Sequence, residues 1–127
     1  MLLDTWVWAE MFESTRTGLA LRSRLPATGI YVSALTIAEI VAWCERNEIN
    51  PQVCLQAIKK TASILDVTSR DCENAGANFK SLRKAAPGIG IVDAIIYAQA
   101  RSRGMEVLTG DNHFRSFPGV KFVEKEK

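Results

Sequence analysis

Four acidic residues lie in parts of the sequence that are otherwise typical of a hydrophobic core. Asp4 and Asp111 close the apolar runs MLLD and VLTGD, whereas Glu39 and Asp93 interrupt the stretches SALTIAEIVAW and GIGIVDAIIYAQA. A carboxylate in such surroundings is costly unless a partner compensates its charge, and the local sequence supplies no obvious cation. If the four side chains meet, a divalent cation would neutralise them, and ligands that are all oxygen favour Mg²⁺ or Mn²⁺. The pattern therefore predicts an acidic metal site.

Each of these acids also has a simpler interpretation. Asp4, Asp93 and Asp111 could each cap the helix that follows it. Glu39 is too far inside its helix to act as a cap, and for this residue the alternative is a side chain that is merely solvated. The sequence leaves these interpretations open for any residue taken alone, but the joint pattern of four isolated acids favours the metal site.

Hydroxyl and amide side chains lie close to the acids in sequence. Thr5, Thr36 and Thr109 each stand within three residues of an acid, where a hydroxyl could orient a carboxylate, although a threonine at a strand end is often only a turn residue. Asn112 could add an oxygen ligand or hold a water, or it could simply begin a helix. His113 is the one histidine of the chain, so it cannot build a multi-histidine metal site, and we interpret it as a surface or supporting residue.

The elements that must position these residues are short β-type runs alternating with longer helical patterns. The predicted strands cover residues 1–4, 30–33, 64–67, 106–108 and 121–123, and the predicted helices cover 5 to about 22, 33–46, 51–63, 69–85 and 92–103. Pro51 in a first helical turn, Ser33 and Ser69 as N-caps and Gly104 as a C-cap support these boundaries. The alternation indicates an α/β fold, a three-layer sandwich in which helices flank a five-stranded parallel sheet.

This fold explains how acids far apart in sequence could form one site. Ligands of α/β sheets bind at the carboxyl ends of the strands, and Asp4 and Asp111 both stand at such ends. Asp93 opens a helix, and Glu39 lies about two turns into another. We therefore expect the four carboxylates to meet at one edge of the sheet.

Composition limits the class of protein. The 127 residues, 47% hydrophobic and 24% charged, are typical of one globular domain, which we expect over residues 1–124 with a charged tail at 125–127. Sixteen Lys and Arg against 14 Asp and Glu exclude a histone-like protein that holds nucleic acid by bulk charge. If the four acids form one metal site, the remainder of the molecule is mildly basic.

Other sequence signals exclude further classes. The first ten residues lack the pattern of a secretory signal, and no apolar stretch approaches the ~18 residues of a membrane span, so we expect a cytoplasmic protein with no membrane partner. Three cysteines without a C-x-x-C pair support neither a disulfide framework nor a zinc knuckle, and we expect reduced, mostly buried thiols. The stretch GIGIVD has Asp93 where a dinucleotide-binding motif needs its third glycine, and no P-loop motif occurs.

The ordered motifs MLLDT, SALTIAE, IVDAIIYAQARSRG and VLTGDNHF resemble those of PIN domains, in particular the VapC toxins of VapBC-type toxin–antitoxin pairs. The similarity covers essentially the whole chain, and the ordered set is specific although each motif alone is weak. The acids that match the family's cluster are Asp4, Glu39, Asp93 and Asp111. Thr109 matches the family's hydroxyl residue, and Asn112 is a looser match.

The resemblance implies a PIN-like fold and an endoribonuclease that hydrolyses RNA phosphodiester bonds with Mg²⁺ or Mn²⁺. Asp4, Asp93 and Asp111 would bind the metal directly or through water, and Glu39 would complete the cluster or help to deprotonate the attacking water. A cognate antitoxin that covers the site and a homodimer are the implied protein partners. Trp6 stands where the family commonly has a small residue, so we expect the mouth of the site to differ in shape.

Two other functions stay open at this point. One is a PIN-fold interaction or RNA-binding module with little activity, against which the four retained acids argue. The other is a nuclease that acts on DNA or on a structured precursor RNA during RNA processing, and the modest charge does not decide between this and the toxin. An adjacent gene for a small DNA-binding antitoxin would favour the toxin.

Overall fold

One sheet of five parallel strands organises the molecule. Its strands are Leu2–Leu3 (β1), Tyr31–Ser33 (β2), Ser63–Leu65 (β3), Val107–Thr109 (β4) and Val120–Phe122 (β5). In the computed structural model, which describes residues 1–126, they are arranged in the order β3-β2-β1-β4-β5, and every pairing is parallel. All five predicted strands are therefore confirmed, with ends displaced by at most two residues.

Helices cover both faces of this sheet. Within the described residues they are Thr5–Phe12 (α1), Arg16–Arg24 (α2), Ala34–Arg46 (α3), Pro51–Thr61 (α4), Ser69–Ala85 (α5) and Ile91–Ser102 (α6), with a 3₁₀ turn at Asn112–Phe114. None of these helices has the length and apolar content to cross a membrane.

Successive strand residues point to opposite faces and so build two separate cores. Leu3 and Leu108 pack with buried residues of α1 to α4, whereas Leu2 and Val107 pack with α6. A third cluster around Phe114 continues the second core towards α5. The predicted three-layer α/β sandwich is confirmed.

The single helix predicted from residue 5 to about 22 is wrong, because the chain turns sharply between α1 and α2. Ser14 adopts a φ of 53°, and Thr15 then caps α2 by accepting a 3.0 Å hydrogen bond from the Gly18 amide. A Cβ on Gly18 would lie 2.0 Å from the carbonyl oxygen of Glu10, so only glycine lets α2 fold back so closely on α1. The continuous apolar pattern hid this turn.

The other predicted helix ends agree with the structure to within two residues, but two of the predicted caps do not. Ser33 caps α3 by accepting from the Leu35 amide at 3.1 Å, and Pro51 is the first residue of α4. The C-cap of α6 is Arg103 rather than Gly104, which is the next residue and has a φ of 65°. The prediction of Ser69 as the N-cap of α5 is wrong, because the preceding threonine occupies that position.

A buried aspartate joins the start of α5 to the end of α6. Asp71 and Thr68 satisfy each other's backbone amides at 3.0 and 3.1 Å, and Arg103 Nη1 lies 3.1 Å from Asp71 Oδ1. Burial opposes ionisation of this carboxyl, but the hydrogen bonds from Arg103 and Thr68, together with the charge of Arg103, outweigh it and hold the pKa of Asp71 below its usual value. The pairing fixes α6, which carries Asp93, against α5.

The end of the chain contacts the first two helices. Lys125 Nζ lies 3.3 Å from Glu10 Oε1, and the Glu126 amide donates a 2.7 Å hydrogen bond to the Thr17 hydroxyl. Both residues belong to the predicted tail at 125–127, and its last residue, Lys127, lies outside the described residues. The domain boundary after residue 124 stays a prediction.

All three thiols are free. Cys44 on α3 and Cys54 on α4 are buried and interact with each other, and burial together with this contact raises the pKa of Cys54 to about 11. Cys72, on α5, is exposed.

Candidate active site

The carboxyl ends of β1 and β4 form the floor of the acidic site. Leu3 pairs with Leu108 in the parallel ladder. The residues that follow them, Asp4 and Thr109, therefore also lie side by side. The Asp4 amide donates a 3.0 Å hydrogen bond to the Leu108 carbonyl, which fixes the backbone that presents the buried carboxylate. Asp111 follows two residues after Thr109, at the same edge of the sheet.

Thr109 connects two of the acids. Its hydroxyl donates a 2.8 Å hydrogen bond to Asp4 Oδ2 and accepts a 3.0 Å hydrogen bond from the Asp111 amide. Both Asp4 and Thr109 are buried, so this hydroxyl is satisfied by the site itself rather than by water.

The alternative that Asp4, Asp93 and Asp111 only cap helices holds for one of the three aspartates. Asp4 precedes α1 but its side chain makes no capping hydrogen bond, and Asp93 is the third residue of α6, whose N-cap is Gly90. Asp111 does cap the 3₁₀ turn, because its Oδ1 accepts a 2.9 Å hydrogen bond from the His113 amide. Capping therefore accounts for one of the three.

Glu39 approaches the site from α3 and is held there by Thr5. The Thr5 hydroxyl donates a 2.6 Å hydrogen bond to Glu39 Oε1 and lies 3.0 Å from the Thr36 hydroxyl. Thr5, the first residue of α1, directly follows Asp4, so this contact ties the helix that carries Glu39 to the end of β1 that positions Asp4. Glu39 is half-buried rather than freely solvated.

Electrostatic coupling shows that the four carboxylates share one environment. Burial, helped by the charges of Asp93 and Asp111 and opposed by the Thr109 hydrogen bond, raises the pKa of Asp4 to about 7. Burial, together with the charges of Asp111 and Glu39 and against the lowering effect of His113, raises the pKa of Asp93 to about 6. Two carboxylates so perturbed by burial and by like charges mark a functional-site candidate.

The tightest part of the cluster contains a histidine. Asp93, Asp111 and His113 each offer one donor atom, and these three atoms lie within 4.8 Å of one another. The sequence interpretation of His113 as a surface or supporting residue agrees with its partly exposed side chain, but it did not place the ring against Asp111. The spacing Asp111-x-His113 carries the signal that could have found it, since an aspartate commonly accepts from the amide two residues on and so draws that residue alongside.

Asn112 is engaged elsewhere. Its amide oxygen accepts hydrogen bonds from the Arg115 guanidinium at 3.1 and 3.3 Å, and Arg115 in turn pairs with Glu124 at 2.7 Å. Its use as an oxygen ligand stays a prediction that would require this contact to open.

Trp6 forms one wall beside the cluster. Its indole lies over Gly110, where an added Cβ would stand 2.4 Å from Cη2 of the ring. Gly110 separates Thr109 from Asp111, so the indole packs directly on the segment that places these two residues. The indole ring packs so closely on Gly110 that no larger residue fits there without a shift of the ring. The expected difference in the shape of the site mouth stays a prediction.

The residues present are suitable for a divalent cation. The carboxylates supply oxygen donors whose mutual repulsion a cation would relieve. His113 adds a nitrogen, and its Nδ1 is buried without a hydrogen-bond partner. A buried nitrogen beside carboxylates and without a hydrogen-bond partner is a donor atom that a metal ion can use as a ligand.

Comparison with known families gives one match. The family model described as PIN domain matches residues 1–120, which include all four acids and the 3₁₀ turn. No curated protein matches the sequence significantly.

Solved structures share the fold at low sequence identity. A toxin–antitoxin complex from Klebsiella pneumoniae superposes with a TM-score of 0.81 at 23% identity, covering 98% of each chain. DNA-bound VapBC from Salmonella typhimurium gives 0.73 at 21% identity, covering 96% of this chain and 95% of the other. VapC20 from Mycobacterium tuberculosis, a toxin that cleaves the sarcin–ricin loop, gives 0.68 at 19% identity, covering 84% and 85%.

Proposed function

Because this chain belongs to the PIN domain family, we propose that it is a metal-dependent endoribonuclease that hydrolyses RNA phosphodiester bonds. The observation that carries the proposal is the electrostatic coupling of carboxylates from four separate elements at the carboxyl edge of the sheet. A site for Mg²⁺ or Mn²⁺ explains why the fold tolerates this repulsion. RNA as the substrate is supported by the fold shared with VapC20, a toxin that cleaves the sarcin–ricin loop.

The residues divide into ligands and supports. Asp4, Asp93 and Asp111 would hold the ion, which when bound polarises the phosphodiester and acidifies the attacking water. Thr109 fixes Asp4 Oδ2 through its hydroxyl. Glu39, whose Oε1 is held by Thr5, can accept the proton of the attacking water on Oε2 or complete the charge of the cluster.

The biological role that we propose is the toxin of a toxin–antitoxin pair, which acts on cellular RNA in the cytoplasm. The fold shared with a toxin–antitoxin complex and with VapBC supports this role. The proposal includes a cognate antitoxin that covers the acidic site and a homodimer of this chain. Induced expression in a bacterial host should arrest growth, and co-expression of the product of an adjacent small gene should relieve the arrest.

The nuclease proposal is tested with purified protein, RNA and single-stranded DNA in the presence of Mg²⁺, Mn²⁺ or EDTA. We expect cleavage of RNA that EDTA abolishes and that Asp93→Asn removes, since this change withdraws one charged ligand with little change of shape. Asp66→Asn is the matched control, because it makes the same chemical change at an exposed position.

The outcomes separate the alternatives. Cleavage that persists in EDTA, or full activity of Asp93→Asn, overturns the metal-dependent mechanism. RNA that is bound but never cut identifies the RNA-binding module, and preferential cleavage of DNA identifies a different nuclease. Cleavage confined to one structured precursor, without growth arrest, identifies a processing enzyme.

A further inference from the structure

The one histidine of the chain is held in the acidic cluster by a short turn. Asp111 Oδ1 accepts a 2.9 Å hydrogen bond from the His113 amide. This one contact caps the 3₁₀ turn and also positions the backbone from which the His113 side chain extends. Phe114, which follows, is fully buried and anchors the turn in the core. On the other side of the ring, a Cβ on Gly88 would stand 3.4 Å from Nε2. The imidazole therefore lies between the turn and the Gly88 loop, with Nδ1 buried although 41% of the side chain is exposed.

The inward nitrogen of this ring has no hydrogen-bond partner. Nδ1 lies 3.0 Å from Asp111 Oδ1, but the two atoms are not in hydrogen-bonding geometry, and Nδ1 is buried. A separation of about 3 Å is the distance expected between neighbouring donors of one ion when each bond is about 2.1 Å and the angle between them is near 90°. That distance would also suit a hydrogen bond, so it is the absence of hydrogen-bonding geometry that favours two ligands of one ion over a donor and an acceptor.

A third donor completes the arrangement. An oxygen of Asp93 lies with Asp111 and His113 in a group of donor atoms that are all within 4.8 Å of one another. Asp93 comes from the first turn of α6 and the other two from the turn after β4, so the group joins two independent elements. The group therefore contains two carboxylate oxygens and one imidazole nitrogen.

We propose that Nδ1 of His113 is a direct metal ligand beside Asp93 and Asp111, and that the site consequently selects Mn²⁺ over Mg²⁺. This inference rests on the proposed function, because it concerns the same ion. Imidazole nitrogen suits first-row transition ions, whereas Mg²⁺ keeps oxygen ligands and water. The all-oxygen site expected from the sequence is thereby replaced by a mixed site of nitrogen and oxygen.

A different interpretation makes a different prediction. If the imidazole only pairs with Asp111, Nδ1 carries a proton and does not bind the ion. Loss of the ring then changes the charge near the site, which alters the affinities for Mn²⁺ and Mg²⁺ by the same factor. If Nδ1 is a ligand, loss of the ring weakens Mn²⁺ binding selectively. The ratio of the two affinities therefore distinguishes the interpretations.

Calorimetric titration of untagged protein with MnCl₂ and with MgCl₂ measures this ratio. His113→Ala and His113→Asn should lower Mn²⁺ affinity by about tenfold or more, since loss of a residue that merely orients a ligand already costs about that much. Their Mg²⁺ affinity should change by less than about threefold because Mg²⁺ does not draw on the imidazole. Ser116→Ala, at an exposed position two residues beyond the turn, should leave both affinities unchanged.

The ring itself can be observed directly, because the chain contains one histidine. In nitrogen-15 spectra of labelled protein, the diamagnetic probe Zn²⁺ should shift the Nδ1 resonance strongly while Nε2 keeps its proton. This signal does not depend on activity, and it is recorded on the wild-type fold, so misfolding of a variant cannot imitate it.

The possible failures are distinguishable. If wild-type protein binds neither Mn²⁺ nor Mg²⁺, both this inference and the proposed metal-dependent function fall. If it binds both ions and Asp93→Asn abolishes binding, but the ratio is unchanged in His113→Ala or Nδ1 does not respond to Zn²⁺, this inference alone is overturned.

Discussion

Thr109 and Asp4 are joined by a 2.8 Å hydrogen bond although 105 residues separate them in sequence. The bond links the ends of two adjacent parallel strands and lies in a buried environment, where an unmade hydrogen bond is expensive. The same hydroxyl accepts the Asp111 amide, so one oxygen determines the relative position of two candidate ligands.

Thr109→Val should therefore disturb both aspartates at once. The change keeps the shape of the side chain but leaves Asp4 Oδ2 and the Asp111 amide without this partner, which should cost about 1–3 kcal/mol of unfolding free energy. Urea denaturation measures the loss. Thr109→Ser keeps the hydroxyl and should lose much less, and equal losses in the two variants would show that the methyl group, not the hydrogen bond, matters.

The stability of metal-free protein should fall as pH rises. The pKa of Asp4 is raised to about 7 and that of Asp93 to about 6, against 3.8 for an ordinary aspartate. Between pH 4 and 7 the folded state therefore binds more protons than the unfolded state, so the free energy of unfolding decreases across this window and levels off above it. Urea denaturation in EDTA at pH 5 and pH 8 measures the slope, and greater stability at pH 8 would contradict the prediction.

Asp4→Asn isolates the largest contribution to this slope. The amide oxygen can still accept from Thr109, but no buried charge has to form, and each pKa unit corresponds to about 1.4 kcal/mol. In EDTA at pH 8 the variant should be more stable than wild type by at least about 1 kcal/mol and should show a flatter pH profile. Asp66→Asn should reproduce the wild-type profile.

The contact between Trp6 and Gly110 can be tested with a double-mutant cycle. Gly110→Ala places a methyl group 2.4 Å from the indole, and such overpacking should cost about 1–3 kcal/mol. In the Trp6→Ala background the space is open, so the same alanine should cost less, with a coupling of at least about 0.5 kcal/mol. Additive effects of the two changes would show that the ring moves aside freely.

Thr5→Val should lower the rate of RNA cleavage while leaving the fold intact. The change removes the donor that holds Glu39 Oε1 at 2.6 Å, and the loss of an orienting residue typically costs about 10–100-fold. Single-turnover cleavage with Mn²⁺ measures the effect, and the melting temperature serves as the check on folding. Thr5→Ser should retain most of the rate. An unchanged rate in Thr5→Val would show that the hydrogen bond from Thr5 to Glu39 does not contribute to cleavage.

The sequence was sufficient to predict the layers and the sheet, because period and caps are local signals. The pattern of Ile30 to Ser33 followed by an amphipathic run predicted β2 and α3 without knowledge of their neighbours. The division between α1 and α2 was missed because it depends on the fit of Gly18 against the Glu10 carbonyl, a contact between two helices that leaves the apolar period intact.

The candidate site divides in the same way. Isolated acids in apolar stretches pointed to Asp4, Glu39, Asp93 and Asp111, and the structure brings their charges into one environment. The importance of His113 depends on a hydrogen bond within a three-residue turn and on its distance from Asp93. Neither the hydrogen bond nor the distance can be predicted from composition or from the spacing of residue types along the sequence.

The distribution of thiols makes this chain convenient for spectroscopy. Cys44 and Cys54 are enclosed between α3 and α4, and the raised pKa of Cys54 keeps it protonated at neutral pH, so neither should react readily with maleimides. Cys72 is exposed on α5, the helix that packs on α6. A fluorophore or spin label attached to Cys72 would report on movement of α5 relative to α6, the helix that carries Asp93. No cysteine would have to be added or removed.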